Sequence, residues 1–312
     1  MRRLTIFMTT LTIFLFACRL FIPASTPNPQ PVSSPQGASP TEAVSPSETF
    51  TSVPTFTVGA PTVPPPPPAA TSPEAGYLLE EERLINGYAV RIWRNPGDQL
   101  GFDSILMIEA AGLPSIRVDM FSALNDLTGG DLNADGYPDL VVETYSGGAH
   151  CCFGTQVFSL RPGGAALILQ KPESNAGGTF EDLNVDGVSE FITYDDSFAY
   201  QYCPYAAGVV VKVIMAYDPG EDRYLPASPR FPEQYANEIA TNEGRASAAP
   251  GELGEWDGTN ICAVLPLALD YLYMGQPDRA RSEFASRYSG SDADAKWAEV
   301  LQVVQDSPLY TP

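Results

Sequence analysis

The chain has 312 residues, with 38 acidic and 17 basic side chains and a formal net charge of −21. That length allows one or two domains. So acidic a body is repelled by phosphate backbones and anionic lipid surfaces, which argues against nucleic-acid binding.

At the N-terminus, Arg2 and Arg3 precede an apolar run over residues 4–16. The run is too short to span a bilayer and has the length of a signal-peptide core. It ends in Leu15-Phe16-Ala17-Cys18. This resembles the lipobox of bacterial lipoproteins, although Phe16 is bulkier than the usual residue there. The resemblance implies a signal peptide over 1–17, cleavage before Cys18 and a Cys18 thiol carrying lipid. A plain secretory signal with an incidental cysteine is the other reading. One acyl chain anchors only marginally, so the resemblance implies a multiply acylated cysteine. The arginine pair fits twin-arginine export poorly. The expected location is the cell envelope, extracytoplasmic and lipid-anchored, with the membrane as a partner through Cys18.

Residues 18–74 read as a disordered linker. Half of the thirty prolines lie here, including the run 64–68, and the only charged residues are Arg19, Glu42, Glu48 and Glu74. Such a segment cannot bury enough apolar surface to offset chain entropy. Proline stiffens it towards an extended form rising about 3.1 Å per residue, suited to holding a domain away from a membrane.

Residues 75–230 read as β-structure. Residues 88–93 alternate as a half-buried strand does. Further strands are expected at 105–108, 139–145, 191–194, 209–217 and 223–225. Residues 156–160 and 165–169 flank a Pro-Gly-Gly turn and predict a hairpin.

Within this region two segments share one pattern. The first is Asp131-Leu-Asn133-Ala-Asp135-Gly136-Tyr137-Pro-Asp139, and the second is Asp182-Leu-Asn184-Val-Asp186-Gly187-Val188-Ser-Glu190. Calcium takes six to eight oxygens at about 2.3–2.6 Å. Side chains at alternate positions of a tight loop converge on one point, and glycine at position 6 permits the sharp turn. The expected ligands are Asp131, Asn133, Asp135 and Asp139 by side chain with the Tyr137 carbonyl, and Asp182, Asn184, Asp186 and Glu190 with the Val188 carbonyl. Two bound calcium ions are therefore expected. Two Asx-rich turns without metal are the bland alternative. An EF-hand needs a polar ligand at position 12 and an exiting helix. Here position 12 is Val142 or Thr193, followed by strand-like residues. The loops instead resemble FG-GAP or VCBS-type repeats, found in integrin α-subunit propellers and bacterial surface proteins. The resemblance covers residues 130–195 well and 85–230 in outline. It implies blade-like antiparallel β repeats, in an incomplete propeller or a sandwich, because the chain is too short for seven blades.

Residues 145–153 contain His150, the chain's one histidine, followed by Cys151 and Cys152. A Cys–His nucleophile and a transition-metal site are the alternatives to disulfides here. Neighbours on a strand face opposite ways, and no second histidine completes a metal site. In an oxidising compartment Cys151, Cys152, Cys203 and Cys262 are disulfide candidates. The expected pairing joins Cys203 to Cys151 or Cys152, and the remaining one of these to Cys262.

Residues 231–312 change to helical character, with two or three short helices expected. One spans 265–274 with Pro266 near its start, a second spans 280–288, and a third is capped by Ser291 or Asp292. Leu267, Ala268, Tyr271, Gly275, Ala280 and Phe284 resemble one tetratricopeptide hairpin. A lone repeat has no neighbour to stack on, so a hairpin packed on the β-domain is the simpler reading.

Nothing in the sequence requires an enzyme. There is no nucleophile elbow and no paired-histidine zinc motif. The expected function is a surface-displayed calcium-binding lipoprotein, a non-catalytic module that binds a protein or glycan. The alternative is an extracytoplasmic hydrolase with structural calcium. A pocket with two carboxylates away from the loops favours the hydrolase. A shallow face exposing Phe198, Tyr200 or Tyr205 favours the binder.

Overall fold

The structure is a computed structural model that describes residues 65–149 and 151–312. The expected signal peptide, Cys18, most of the expected linker and His150 lie outside the described residues. The described chain runs through twelve strands and then four helices.

The strands form three four-stranded antiparallel sheets, each built from consecutive strands. The first sheet contains β1 (Leu78–Ile85), β2 (Tyr88–Arg94), β3 (Ser104–Glu109) and β4 (Ile116–Asp119). The second contains β5 (Phe121–Leu124), β6 (Asp139–Tyr145), β7 (Phe153–Arg161) and β8 (Gly164–Ser174). The third contains β9 (Thr179–Glu181), β10 (Glu190–Asp195), β11 (Val211–Asp218) and β12 (Arg223–Pro226). This is the blade-like β architecture expected, and no sheet closes on itself. The Pro-Gly-Gly hairpin is the β7–β8 pair, with Leu160 opposite Ala165. Strands β1, β4, β5 and β9 were not expected. β1 is largely exposed and the other three have three or four residues, too few to show a period.

Alternation along the strands stacks the sheets. In β6, Leu140 and Val142 join Val90, Ile92 and Leu106 in a core between the first two sheets. Val141, on the opposite face, joins Val213 and Phe191 in a core shared with the third sheet. The middle sheet is thus buried on both faces, which is why β6 reads Leu-Val-Val without polar interruption. Chain passage into the third sheet is equally tight. A Cβ at Gly178 would stand 2.1 Å from the Phe191 ring, so only glycine fits.

The second core continues into the helices, α1 (Ala236–Arg245), α2 (Ile261–Tyr273), α3 (Pro277–Arg287) and α4 (Ala293–Asp306). There are four helices rather than two or three. The helix α1 was not expected because its exposed, polar composition leaves no buried stripe. Every residue of α2 is buried, and it packs on β11. Pro266 lies inside this helix rather than near its start. Interior proline costs about 3 kcal/mol, and each large apolar side chain buried returns about 1.5–3 kcal/mol. Burial therefore outweighs that cost. The α2–α3 hairpin buries Leu267, Ala268, Tyr271, Ala280 and Phe284. Asp292 precedes α4 at the capping position, but its side chain makes no capping bond and accepts from the Tyr288 hydroxyl instead.

The disulfides differ from the expected pairing. Cys151 bonds Cys152, and Cys203 bonds Cys262 with Cα atoms 6.1 Å apart. Residues 151 and 152 precede β7 in a loop, so the opposite-face rule for strands does not apply to them. The helices are still tied covalently to the β-region, because Cys262 at the start of α2 bonds Cys203 in the β10–β11 connection.

Candidate functional site: two acidic loops in contact

The first acidic loop joins β5 to β6, and the second joins β9 to β10. Each occupies the connection between the first and second strands of its sheet. Asp139 and Glu190, the last residue of each pattern, are the first residues of β6 and β10.

The two loops share one hydrogen-bond pattern. In the first, the Asp135 amide donates to Asp131 Oδ1 at 3.1 Å and the Gly136 amide to Asp131 Oδ2 at 2.9 Å. The Asp135 amide also approaches Asn133 Oδ1, the Tyr137 amide donates to Asp135 Oδ1, and the Leu132 amide donates to Asp139 Oδ2 at 2.7 Å. In the second, Asp186 and Gly187 amides donate to Asp182, and the Asp186 amide also reaches Asn184. The Val188 amide donates to Asp186 and the Leu183 amide to Glu190 Oε2 at 2.9 Å. Position 4 is left-handed in both loops, at φ 56° for Ala134 and 61° for Val185, as is the glycine at position 6. A β-branched residue rarely adopts that conformation. Repetition of the strain at Val185 shows that the loop, not the residue, dictates the backbone there.

The surroundings differ. Asn133 and Asp139 are buried, and Asp139 is 0% exposed. Its Oδ1 has no hydrogen-bond partner. Burial, followed by the nearby charges of Asp135 and Asp131, pushes its carboxyl up to about 7. Burial also raises Glu190, with Asp186 and Asp182 adding to the effect. Asp135 is lowered although burial opposes it, because Ser159, the Tyr137 amide and Arg161 hydrogen-bond its carboxylate. Arg161 also grips Asp222 through two bonds of 2.6 and 2.7 Å, holding that carboxyl down at about 2. Ser159, Arg161 and Asp222 had no signal in the sequence, because they reach the loop from β7 and from the β11–β12 turn.

The oxygen donors suit a hard cation. Each loop carries three carboxylates and an amide oxygen, and a carboxylate oxygen that accepts one amide retains a lone pair. The buried, unpartnered Asp139 Oδ1 is the observation that fits an ion. Among the described residues no three acidic, histidine or cysteine side chains converge as a ready-made metal cluster. The carboxylates are turned onto backbone amides.

The loops touch each other. The Ser189 amide donates to the Leu132 carbonyl at 2.8 Å. The Tyr224 hydroxyl lies 3.0 Å from the Ser189 carbonyl and 3.4 Å from the Leu132 carbonyl. Burial raises the Tyr224 phenol, and Asp139 and Glu190 raise it further.

Of the aromatics expected on a binding face, Phe198 is buried at 1% exposure, packed inside the second core. Tyr200 and Tyr205 are exposed and stacked on each other at 5.6 Å. A separate cleft between α1 and the third sheet is lined by Tyr194, Lys212, Glu238, Asn242, Arg245 and Asp270.

The chain matches no protein-family model and no solved structure. It is similar to a probable thylakoid lumen protein of Synechocystis, 33% identical over 104 residues. That match covers 32% of this chain and 31% of the relative. It is also similar to an uncharacterized protein of Sinorhizobium fredii, 25% identical over 178 residues, covering 55% of this chain and 26% of the relative. The chain therefore spans less than a third of the length of either relative.

Proposed function

We propose that this chain is an extracytoplasmic, calcium-stabilised binding module with no catalytic role, lipid-anchored at Cys18 and displayed on the proline-rich linker. The observation that carries the reading is the repeated loop. Two segments 51 residues apart adopt one hydrogen-bond pattern at equivalent places in consecutive sheets, and one presents a buried carboxylate oxygen with no partner. Blade-like sheets with the loop after the first strand also support the resemblance to FG-GAP and VCBS-type repeats. The relative named for the thylakoid lumen and the Cys203–Cys262 disulfide support a location outside the cytoplasm. The exposed Tyr200–Tyr205 stack offers a surface for a protein or glycan ligand.

Asp131, Asn133, Asp135, Asp139 and the Tyr137 carbonyl would hold one ion. Asp182, Asn184, Asp186, Glu190 and the Val188 carbonyl would hold the other. Bound calcium supplies positive charge that neutralises the loops.

A hydrolase draws on one observation, the cleft holding Glu238 and Asp270. Burial pushes Asp270 up to about 7. Glu238 is paired with Lys212 at 2.6 Å, which leaves it poorly placed as a free base or nucleophile. The binding module is the better-supported reading.

Titration calorimetry should give two calcium ions per chain with dissociation constants of order 10⁻⁴–10⁻³ M. The melting temperature should rise with calcium, because the ion binds the folded state. Asp135→Ala and Asp186→Ala should each remove one site. Absence of heat and of any melting shift at millimolar calcium sinks the proposal. Mass spectrometry of membrane-extracted protein should find an acylated Cys18 as its first residue.

A further inference from the structure

We infer that the two loops bind calcium as a coupled pair, with the Val188–Ser189 peptide and Tyr224 as the coupling elements. This rests on the calcium reading above. The Val188 carbonyl is the expected backbone ligand of the second loop, and the N–H of the same peptide unit is that of Ser189. That N–H donates to the Leu132 carbonyl of the first loop at 2.8 Å. Leu132 in turn donates its own N–H to Asp139 Oδ2, the buried carboxylate that closes the first site. A path therefore runs from one expected ion position to the other through one backbone–backbone and one backbone–carboxylate hydrogen bond, joined across the Cα of Leu132.

The path has a direction of effect. An ion on the Val188 carbonyl draws electron density from that peptide and makes the Ser189 N–H a stronger donor, as hydrogen bonds in series polarise one another. The strengthened bond holds Leu132, and with it the amide that positions Asp139. Leu132 is itself buried, so a displacement of its carbonyl is resisted by the core on one side and by Ser189 on the other. Tyr224, from β12, adds a second strap. Its hydroxyl donates to the Ser189 carbonyl and lies near the Leu132 carbonyl, while its ring is fixed against Phe180 and Tyr217.

Two terms compete. The bound ions repel one another, which favours negative coupling. Salt screens that repulsion over about 8 Å at physiological ionic strength. Ordering of the shared peptide is not screened. The first ion fixes a peptide that the second site also needs, so the second binds with less ordering left to do. At physiological salt the ordering term prevails and the coupling is positive.

Calcium chloride titrated into the full chain at physiological salt, followed by calorimetry, tests this. The expected curve is cooperative, with the second ion bound about fivefold more tightly than the first. Asp182→Ala should weaken the first site about fivefold although Asp182 belongs to the second, and Asp131→Ala should do the reverse. Tyr224→Phe should retain two ions while reducing the coupling. Two independent sites, or a second ion bound more weakly, overturn the inference and leave calcium binding intact. No binding at all overturns the calcium reading as well. The native titration decides the matter even where a variant fails to fold.

Discussion

The two acidic loops are nearly the same in sequence and in local geometry, yet they sit in different environments. The first is embedded: Leu132, Asn133 and Asp139 are buried, and Asp135 is tied by Arg161 to Asp222. In the second, Asn184, Val185, Asp186 and Gly187 are exposed, and among the described residues no cation pairs with Asp186. Nine residues are enough to set the turn. They do not set what surrounds it, and the surroundings decide how much each carboxylate contributes to stability. The first loop behaves as part of the core, whereas the second behaves as a surface turn pinned at its two ends.

The sharpest way to break this contrast is to remove the closing carboxylates in millimolar calcium. Asp139→Ala leaves the Leu132 amide buried without an acceptor, a penalty of about 1–3 kcal/mol for the amide alone, and on the calcium proposal it would also lose the first loop's ion. A total loss of about 3 kcal/mol is expected. Glu190→Ala should lose less, because Leu183 is only half-buried, although Glu190 itself is buried. Urea unfolding measures both. Equal losses would mean that the two loops are energetically alike.

A second measurement separates the loops from a background set elsewhere in the fold. Asp270 in α2 is pushed up to about 7, mainly by burial, although Asn242 donates to it at 2.7 Å. Its folded value lies above its unfolded one, so the folded state holds the proton more tightly. The stability it contributes is fully present below about pH 4 and is lost as pH rises through about 7. Asp270→Asn should flatten the fall in calcium-free stability over that window and raise stability at about pH 8 by about 2 kcal/mol. An unchanged pH profile would assign the fall to other groups, the first loop's Asp139 foremost.

The smallest expected effect concerns the anchor of the first loop. Arg161→Met removes the bonds to Asp135 and Asp222, which are partly exposed, so a loss of about 1 kcal/mol is expected. Amide exchange in the first loop should quicken to the rate of the second while the second stays unchanged. If exchange in the first loop does not change, its protection comes from the core alone.

Much of this was determined by local sequence. The Asp-x-Asn-x-Asp-Gly spacing dictates a turn in which side-chain oxygens satisfy the loop's own amides, so both loops were legible from residues 131–139 and 182–190 alone. Alternation made β2, and apolar runs made β3, β6 and β10, readable because each faces at least one core. The short strands β4, β5 and β9 left too few residues to carry a period. The α2–α3 hairpin was legible from small and aromatic residues at helical spacing. Only the tertiary structure decided the rest. Stacking of the sheets brought Arg161, Asp222 and Tyr224 to the loops from distant strands, and no local pattern marks a long-range contact. It placed Cys203 beside Cys262 across 59 residues, where the expected pairing joined Cys203 to Cys151 or Cys152. It also set the Ser189 amide on the Leu132 carbonyl, because consecutive sheets carry their loops at the same end and pack face to face.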